Sequence, residues 1–213
     1  PREMEPMFRS SVLPLLRRNL GMKEEERDEY STFLISEAKL EELTKIADPN
    51  LDWGTRFQDY RISLYVSGGD ETKRQEAIKK LRGMTGKDRV VDGDKTALGI
   101  LVQELKDRGE TISCAESCTG GLAASNLTSL PGSSSYMMGS VTSYFLSVKE
   151  KVLGVKKETL EIHGAVSEEC ALEMAEGVRR VISSDWAFSI TGVAGPDKSE
   201  GKEVGTVCLG FSG

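Results

Sequence analysis

The chain has 213 residues, of which 38% are hydrophobic and 29% charged, and its formal net charge is −6. This composition is typical of a globular protein with one or two domains. No window approaches about 18 consecutive apolar residues, so we expect no membrane-spanning segment and no membrane partner. The acidic balance and the lack of a basic run with interleaved aromatic residues argue against a nucleic-acid partner.

Four cysteines, Cys114, Cys118, Cys170 and Cys208, do not form two closely spaced pairs, so the spacing predicts no zinc site and no other metal site. The N-terminal residues PREME lack the apolar core of a secretory signal. We therefore expect reduced, buried thiols and a cytoplasmic location. Because the chain does not begin with Met, we also expect it to be a fragment.

Residues 1–29 are predicted to be the tail of another domain followed by a linker. The segment 6–21 (PMFRSSVLPLLRRNLG) has the amphipathic pattern of a short basic helix. The segment 22–29 (MKEEERDE) is a run of charges, which is typical of a solvated linker.

Residues 30–93 show the pattern of a small α+β module. The predicted elements are a strand at 31–35, a helix at 37–48, strands at 51–58 and 61–66, a helix at 70–82 and a short strand at 89–91. The order βαββαβ is that of a ferredoxin-like module. No catalytic constellation is found within it.

Residues 94–213 alternate between strand and helix patterns. The predicted strands lie at 111–114, 141–145, 186–191 and 204–211, and helical segments lie at 96–109, 122–127, 148–153 and 167–182. This alternation predicts a three-layer α/β/α domain, in which one sheet carries helices on both faces.

The central stretch of this domain is 112–122 (ISCAESCTGGL), where a short strand turns sharply into a helix at Ser117. Gly120 and Gly121 allow a ligand to approach the backbone closely, and the N–H groups at the start of the helix can hold an oxyanion or a phosphate. The alternative is a capped helix in which the serine only satisfies backbone donors.

Two other polar turns, at Ser133–Ser134 and at Thr191–Gly192, adjoin predicted strands. In an open α/β sheet such turns can gather at one edge and form a pocket rich in hydrogen-bond donors. No GxxxxGK[ST] or GxGxxG motif is present, so the pattern does not favour a nucleoside triphosphate or a dinucleotide.

Ser117 needs a base to act as a nucleophile, and the residues leave several possibilities open. His163 is the single histidine, but the GxSxG turn of many serine hydrolases is absent. Lys149 becomes a base only where burial or nearby positive charge lowers its pKa, and Tyr144 is placed to relay a proton to it. The alternatives are a surface Lys149 and a nucleophilic role for Cys118.

Taken together, the motifs resemble the C-terminal domain of the CinA family. They are AESCTGG (115–121), PGSSS (131–135), Tyr144 with Lys149, LGV (153–155), HGAVSEE (163–169) and TGVAGP (191–196). The order and spacing cover about 95–213. The upstream module resembles the middle domain of full-length CinA proteins.

This resemblance implies a nicotinamide-nucleotide amidase that converts nicotinamide mononucleotide and water to nicotinate mononucleotide and ammonia, with no metal or other cofactor. It assigns Ser117 as the nucleophile and Tyr144 and Lys149 as its activators. It places Thr119, Gly120, Gly121, Ser134 and Thr191 at the substrate. The partner is the small nucleotide itself, and a homodimer is an open candidate.

Two departures from the family accompany the resemblance. Phe145 and Leu146 follow the tyrosine, where the family commonly has Ser-Asn, and the family continues beyond Gly213. The alternative function is therefore a catalytically silent nucleotide-binding or interaction domain of a competence- or damage-inducible protein.

Overall fold

The structure is a computed structural model that describes residues 4–20, 26–58 and 60–213. The chain divides into two compact units, Pro1–Ala97 and Leu98–Gly213, and each unit contains a four-stranded sheet. Among the described residues, no helix has the length and apolar character needed to cross a membrane.

A helical segment comes first in the described chain and largely matches the helix predicted over 6–21. It consists of α1 (Met4–Met7), a π-helical stretch (Phe8–Val12) and α2 (Leu13–Leu20). Residue 21 and the part of the predicted linker at 22–25 lie outside the described residues.

The first sheet has the predicted βαββαβ order. Its elements are β1 (Arg27–Thr32), α3 (Glu37–Ala47), β2 (Asp52–Gln58), β3 (Arg61–Ser67), α4 (Glu71–Thr85), a 3-10 turn (Lys87–Arg89) and β4 (Val90–Asp92). The strands lie in the order β2-β3-β1-β4, and all three pairings are antiparallel. The ferredoxin-like topology is therefore confirmed.

The start of β1 corrects the predicted linker. The charge pattern predicts a solvated linker at residues 27–29, but they pair with β3, with Asp28 opposite Val66. Asp28 also accepts a hydrogen bond from Arg74 Nε at 3.0 Å. An ion pair to the neighbouring helix thus lets a charged residue enter a strand, which a charge pattern alone does not reveal.

The second unit is built around a mostly parallel sheet. Its elements are α5 (Ala97–Arg108), β5 (Ile112–Glu116), α6 (Leu122–Thr128), a 3-10 turn (Ser133–Ser135), β6 (Met137–Thr142), α7 (Leu146–Val148), a π-helical stretch (Lys149–Leu153), α8 (Lys157–Ile162), α9 (Glu168–Ile182), β7 (Trp186–Gly192) and β8 (Val207–Ser212). The strand order is β6-β5-β7-β8, in which β5 pairs parallel to β6 and β7, and β8 pairs antiparallel to β7.

The three layers follow from two apolar clusters on opposite faces of this sheet. On one face α5 and α6 pack through Val102, Leu105 and Leu127 against Ile112. On the other face α9 and the π-helical stretch pack against Ala115 and Ala187 through the buried residues Leu153, Cys170, Met174 and Val178. Alternate residues of the central strands thus serve both layers, as expected for a buried parallel sheet.

The prediction for β6 was wrong in its position. The strand was expected over 141–145, but it covers Met137–Thr142, and Ser143 already leaves the sheet. The segment 137–140 contains Gly139 and Ser140, which are weak strand formers, and pairing with β5 places them in the sheet in spite of their low propensity. As a result Tyr144 lies in the connection after β6.

Gly177 lets α9 lie against the backbone of the π-helical stretch. A Cβ atom at this position would come within 2.7 Å of the carbonyl carbon of Leu153, which is well inside van der Waals contact. Neither neighbour is a flexible side-chain end, so a methyl group forces two backbone segments apart.

We expect Gly177→Ala to lower the free energy of unfolding by about 1–3 kcal/mol because overpacking outweighs the gain in helix propensity. The matched control is Gly83→Ala in α4, where no atom lies within 4 Å of the added Cβ. We expect that variant to be stabilised by about 0.5–1 kcal/mol. Urea unfolding followed by circular dichroism checks both, and equal behaviour of the two variants contradicts the packing argument.

Candidate active site

Three strand ends of the second sheet meet at one edge. Because β5, β6 and β7 are parallel, the residues after Glu116, Thr142 and Gly192 all emerge at their carboxyl ends. Ser117 N–H donates to Ile190 O at 2.9 Å, and Ser143 N–H donates to Glu116 O at 2.7 Å. These two bonds hold Ser117 between its neighbouring strands, at the place where open α/β sheets bind ligands.

Lys149 lies beneath this edge with only 1% of its surface exposed. Its Nζ is 2.9 Å from Ser117 Oγ and donates to the Ser143 carbonyl at 2.5 Å. The alternative of a surface lysine is therefore wrong: the π-helical stretch that begins at Lys149 directs its side chain to the sheet, whereas Lys151 is exposed.

Burial lowers the pKa of Lys149, although nearby Cys170, Cys118 and Glu200 act in the opposite direction. A neutral amine that donates to Ser143 O keeps its lone pair for a second partner, and Ser117 Oγ–H is in that position. The pair therefore has the geometry and the electrostatics of a nucleophile with its general base.

Glu116 is a site residue that the sequence reasoning did not single out. Its side chain is fully buried and accepts N–H bonds from Gly121, Ala123 and Ala124 at 3.1, 3.0 and 2.9 Å. Burial raises its pKa, but the nearby Thr119 side chain and the hydrogen bonds from these N–H groups outweigh burial, and the net pKa is lowered. The sequence held one signal for this role. Glu116 directly precedes the turn into α6, and Gly121 at the start of that helix has no side chain that could cap it.

These bonds correct the predicted oxyanion donors. Gly121 N–H is taken by Glu116, and Gly120 N–H donates to Ser117 O at 3.1 Å, so neither points to a ligand. Among the hydrogen bonds of the described residues, the N–H groups of Cys118 and Thr119 have no carbonyl or carboxylate acceptor. Both approach the Cys118 sulfur, and they are the donors that the turn leaves beside Ser117.

The remaining predicted residues are spread over the unit. Thr191 is buried at the same edge, but its hydroxyl donates to Ala165 O at 2.8 Å and so holds a neighbouring loop. Ser134 is exposed and precedes β6, which places it at the opposite edge of the sheet. The expectation that all three polar turns share one edge is thus wrong for Ser134, since a turn before a parallel strand lies opposite a turn after one.

Tyr144 lies next to Ser143, but its side chain is 70% exposed, and none of the hydrogen bonds within the described chain connects its hydroxyl to Ser117 or Lys149.

His163 is paired with Glu169, with Nδ1 and Oε1 3.3 Å apart, and makes no bond to Ser117. Burial raises the pKa of the Cys118 thiol, which disfavours the thiolate needed for attack. Within the described residues, no three His, Cys, Asp or Glu side chains are arranged to hold a metal ion.

A sequence profile of the CinA C-terminal domain matches residues 94–213, the part of the chain that contains this site. The chain therefore belongs to the CinA family. Two curated relatives, CinA-like proteins of Endomicrobium trichonymphae and Pseudothermotoga lettingae, are 38% and 34% identical over 99% and 100% of this chain. The chain covers 52% and 53% of their lengths, so it spans about half of these relatives.

Solved structures support the same fold. The chain resembles competence damage-inducible protein A of Klebsiella pneumoniae at 35% identity and a TM-score of 0.52, over 54% of this chain and 71% of that chain. It resembles a competence/damage inducible protein of Agrobacterium tumefaciens at 40% identity and a TM-score of 0.51, over 54% and 70% of the two chains.

The Glu116 carboxylate predicts an acid-sensitive contribution to stability. We expect Glu116→Gln to lower the free energy of unfolding by about 1–3 kcal/mol at pH 7, because an amide cannot accept all three N–H bonds. The folded-state pKa lies below the unfolded value of 4.5, so this stabilisation is present above pH 4.5 and is lost as the pH falls through the lowered pKa.

The measurement is urea unfolding of both proteins between pH 7 and pH 3.5, in which the difference should narrow below pH 4.5. Glu168→Gln is the control, because Glu168 is an exposed acid in the first turn of α9. It should change stability by no more than about 0.5 kcal/mol. A pH-independent difference for Glu116→Gln contradicts the assignment.

Proposed function

We propose that the protein is a serine amidohydrolase that hydrolyses the carboxamide of nicotinamide mononucleotide to nicotinate mononucleotide and ammonia. The observation that carries the proposal is the 2.9 Å contact between Lys149 Nζ and Ser117 Oγ, made by a fully buried lysine. Membership of the CinA family and the AESCTGG motif support the choice of an amide substrate.

The proposed reaction begins with neutral Lys149. Its Nζ takes the proton from Ser117 Oγ as that oxygen attacks the carboxamide carbon. Negative charge develops on the carboxamide oxygen during this attack. The N–H groups of Cys118 and Thr119 are proposed to stabilise it, because neither donates to a carbonyl of the described chain. Lys149 then returns the proton to the leaving nitrogen, and ammonia departs from an acyl-enzyme ester.

The second half of the reaction uses the same base. Lys149 takes a proton from a water molecule, whose oxygen attacks the ester carbon, and the proton returns to Ser117 Oγ as the C–O bond breaks. The carboxylic acid that forms gives its proton to the released ammonia, so the overall reaction consumes one water and yields a carboxylate and an ammonium ion. Because the lysine must be neutral, activity is expected to rise with pH through the lowered pKa of Lys149.

We expect Ser117→Ala and Lys149→Met each to reduce ammonia release from nicotinamide mononucleotide by about a thousandfold or more, since each removes one member of the nucleophile–base pair. The control is Lys151→Met, which removes an exposed lysine two residues away and should leave the rate within about twofold. Release of ammonia can be followed with a coupled glutamate dehydrogenase assay.

Two results contradict this function. One is undiminished release by Ser117→Ala, and the other is no release by the unaltered protein. If calorimetry then shows that nicotinamide mononucleotide binds without turnover and that Lys149→Met binds it equally well, the chain is a nucleotide-binding domain instead of an enzyme.

Tyr144 is proposed not to relay the proton between Ser117 and Lys149, because Lys149 contacts Ser117 directly. We expect the loss of kcat in Tyr144→Phe to be at least ten times smaller than the loss in Lys149→Met. The reason is that the exposed Tyr144 hydroxyl takes no part in the contact between Lys149 and Ser117. Steady-state ammonia release from the two variants makes the comparison. Equal losses indicate that Tyr144 turns inward and relays the proton.

A further inference from the structure

The Glu116 side chain closes the turn between β5 and α6. Glu116 is the last residue of β5, and its carboxylate accepts the N–H groups of three residues at the start of the helix. These are Gly121, Ala123 and Ala124, at 3.1, 3.0 and 2.9 Å. An ordinary capping side chain belongs to the first residue of its helix and takes one such N–H group. Glu116 instead joins the end of a strand to the start of the next helix, across residues 117–120.

The strand end of this bridge is itself fixed in the sheet. Ser143 N–H donates to Glu116 O at 2.7 Å, on the side of β6. On the other side, Ser117 N–H donates to Ile190 O at 2.9 Å. The Glu116 side chain is also fully buried, so moving its carboxylate leaves a buried charge without its partners, which is costly. Residues 117–120 are therefore restrained at both ends.

Within the bridge, the backbone carbonyl groups of the turn are occupied as well. Gly120 N–H donates to Ser117 O at 3.1 Å. Leu122 N–H donates to Thr119 O at 3.0 Å. A peptide N–H group lies in the plane of its peptide and cannot rotate by itself, so the backbone of the turn sets its direction. The directions of the two remaining donors, the N–H groups of Cys118 and Thr119, thus depend on a turn that Glu116 holds closed.

We propose that Glu116 is a positioning residue of the reaction, which bridges β5 and α6 and so holds the N–H groups of Cys118 and Thr119 at the oxygen on which negative charge develops. The inference rests on the proposed function, because it assigns Ser117 as the nucleophile. Donors stabilise a transition state most when they already point at the developing charge and need no reorganisation during the reaction. The carboxylate fulfils this condition without touching the substrate.

The test uses a fluorophosphonate probe, which reacts with an activated serine and needs no nicotinamide substrate. Ser117 Oγ forms a bond to phosphorus, the P–F bond breaks, fluoride leaves, and Lys149 takes the serine proton. The phosphoryl oxygen becomes more negative during attack, so labelling requires the same N–H donors as hydrolysis of an amide. Mass spectrometry identifies the labelled residue and measures the labelled fraction.

We expect Glu116→Gln to lower the maximal labelling rate by about tenfold to a hundredfold, because the donors lose their fixed direction while the nucleophile and the base remain. The probe concentration that gives half of this rate should change by no more than about twofold. Likewise, kcat for ammonia release should fall by a similar factor with KM unchanged. A carboxylate that only stabilised the fold would reduce the labelled fraction and leave the rate of labelling as it was.

The matched control is Asp185→Asn, which makes the same change from acid to amide in the same unit. Asp185 Oδ2 accepts the N–H of Thr111 at 2.8 Å and its hydroxyl at 2.7 Å. However, Asp185 precedes β7 and so lies at the opposite edge of the sheet from Ser117. Labelling of this variant should stay within about twofold of the unaltered protein. Equal losses of rate in Asp185→Asn and Glu116→Gln overturn the inference.

Glu116→Asp provides a second test that does not depend on the folding of Glu116→Gln. It keeps the carboxylate but shortens the side chain by one methylene group, so the three N–H bonds cannot all be made, and we expect the maximal rate to fall by about threefold or more. Labelling of either variant at the unaltered rate overturns the role of Glu116 alone. Absence of labelling in the unaltered protein overturns the proposed nucleophile and the inference with it, and labelling without ammonia release overturns only the substrate.

Discussion

The arrangement of the second unit depends on a lysine amine that is enclosed away from water. An ammonium in such a place is costly, and the structure meets the constraint by giving Lys149 one carbonyl acceptor, Ser143 O, and one hydroxyl partner, Ser117 Oγ. Both partners stand at the ends of adjacent parallel strands. The register of β5 with β6 thus decides whether the Lys149 amine and the Ser117 hydroxyl meet, because a slip of one residue moves Ser143 away from Ser117.

In the turn after Ser117, a side chain of the protein itself binds the free N–H groups at the start of α6. The positive end of α6 is satisfied by the Glu116 carboxylate, which takes three of its N–H groups. The helix therefore offers no general anion site, and the remaining donors are confined to Cys118 and Thr119. A site with two directed donors discriminates by geometry, whereas an open helix end attracts any anion.

Much of the fold was accessible from the sequence because local signals agree with the tertiary structure. The helices predicted at 37–48, 70–82 and 167–182 are present, and each begins after a residue whose side chain accepts a backbone N–H, namely Ser36, Asp70 and Ser167. Strand alternation marks β3. The position of β6 was missed because pairing with β5 overrides the low strand propensity of Gly139 and Ser140.

The site was predictable in its residue types but only partly in its geometry. Ser117 and Lys149 stand 32 positions apart, and no spacing rule places them 2.9 Å from each other. Glu116 was missed because a buried acid cannot be distinguished from an exposed one in a short polar motif. Ser134 was predicted at the wrong edge of the sheet because a polar composition does not distinguish a turn that precedes a parallel strand from one that follows it. The two kinds of turn lie at opposite edges.

Gly177 also affects the position of Lys149. The carbonyl that contacts it belongs to Leu153, the last residue of the π-helical stretch whose first residue is Lys149. The missing side chain in α9 therefore sets how deeply that stretch sinks towards the sheet, and with it how far the amine reaches. The distance between Lys149 Nζ and Ser117 Oγ is consequently a property of helix packing, and it can be altered by substitutions in α9 that touch neither atom.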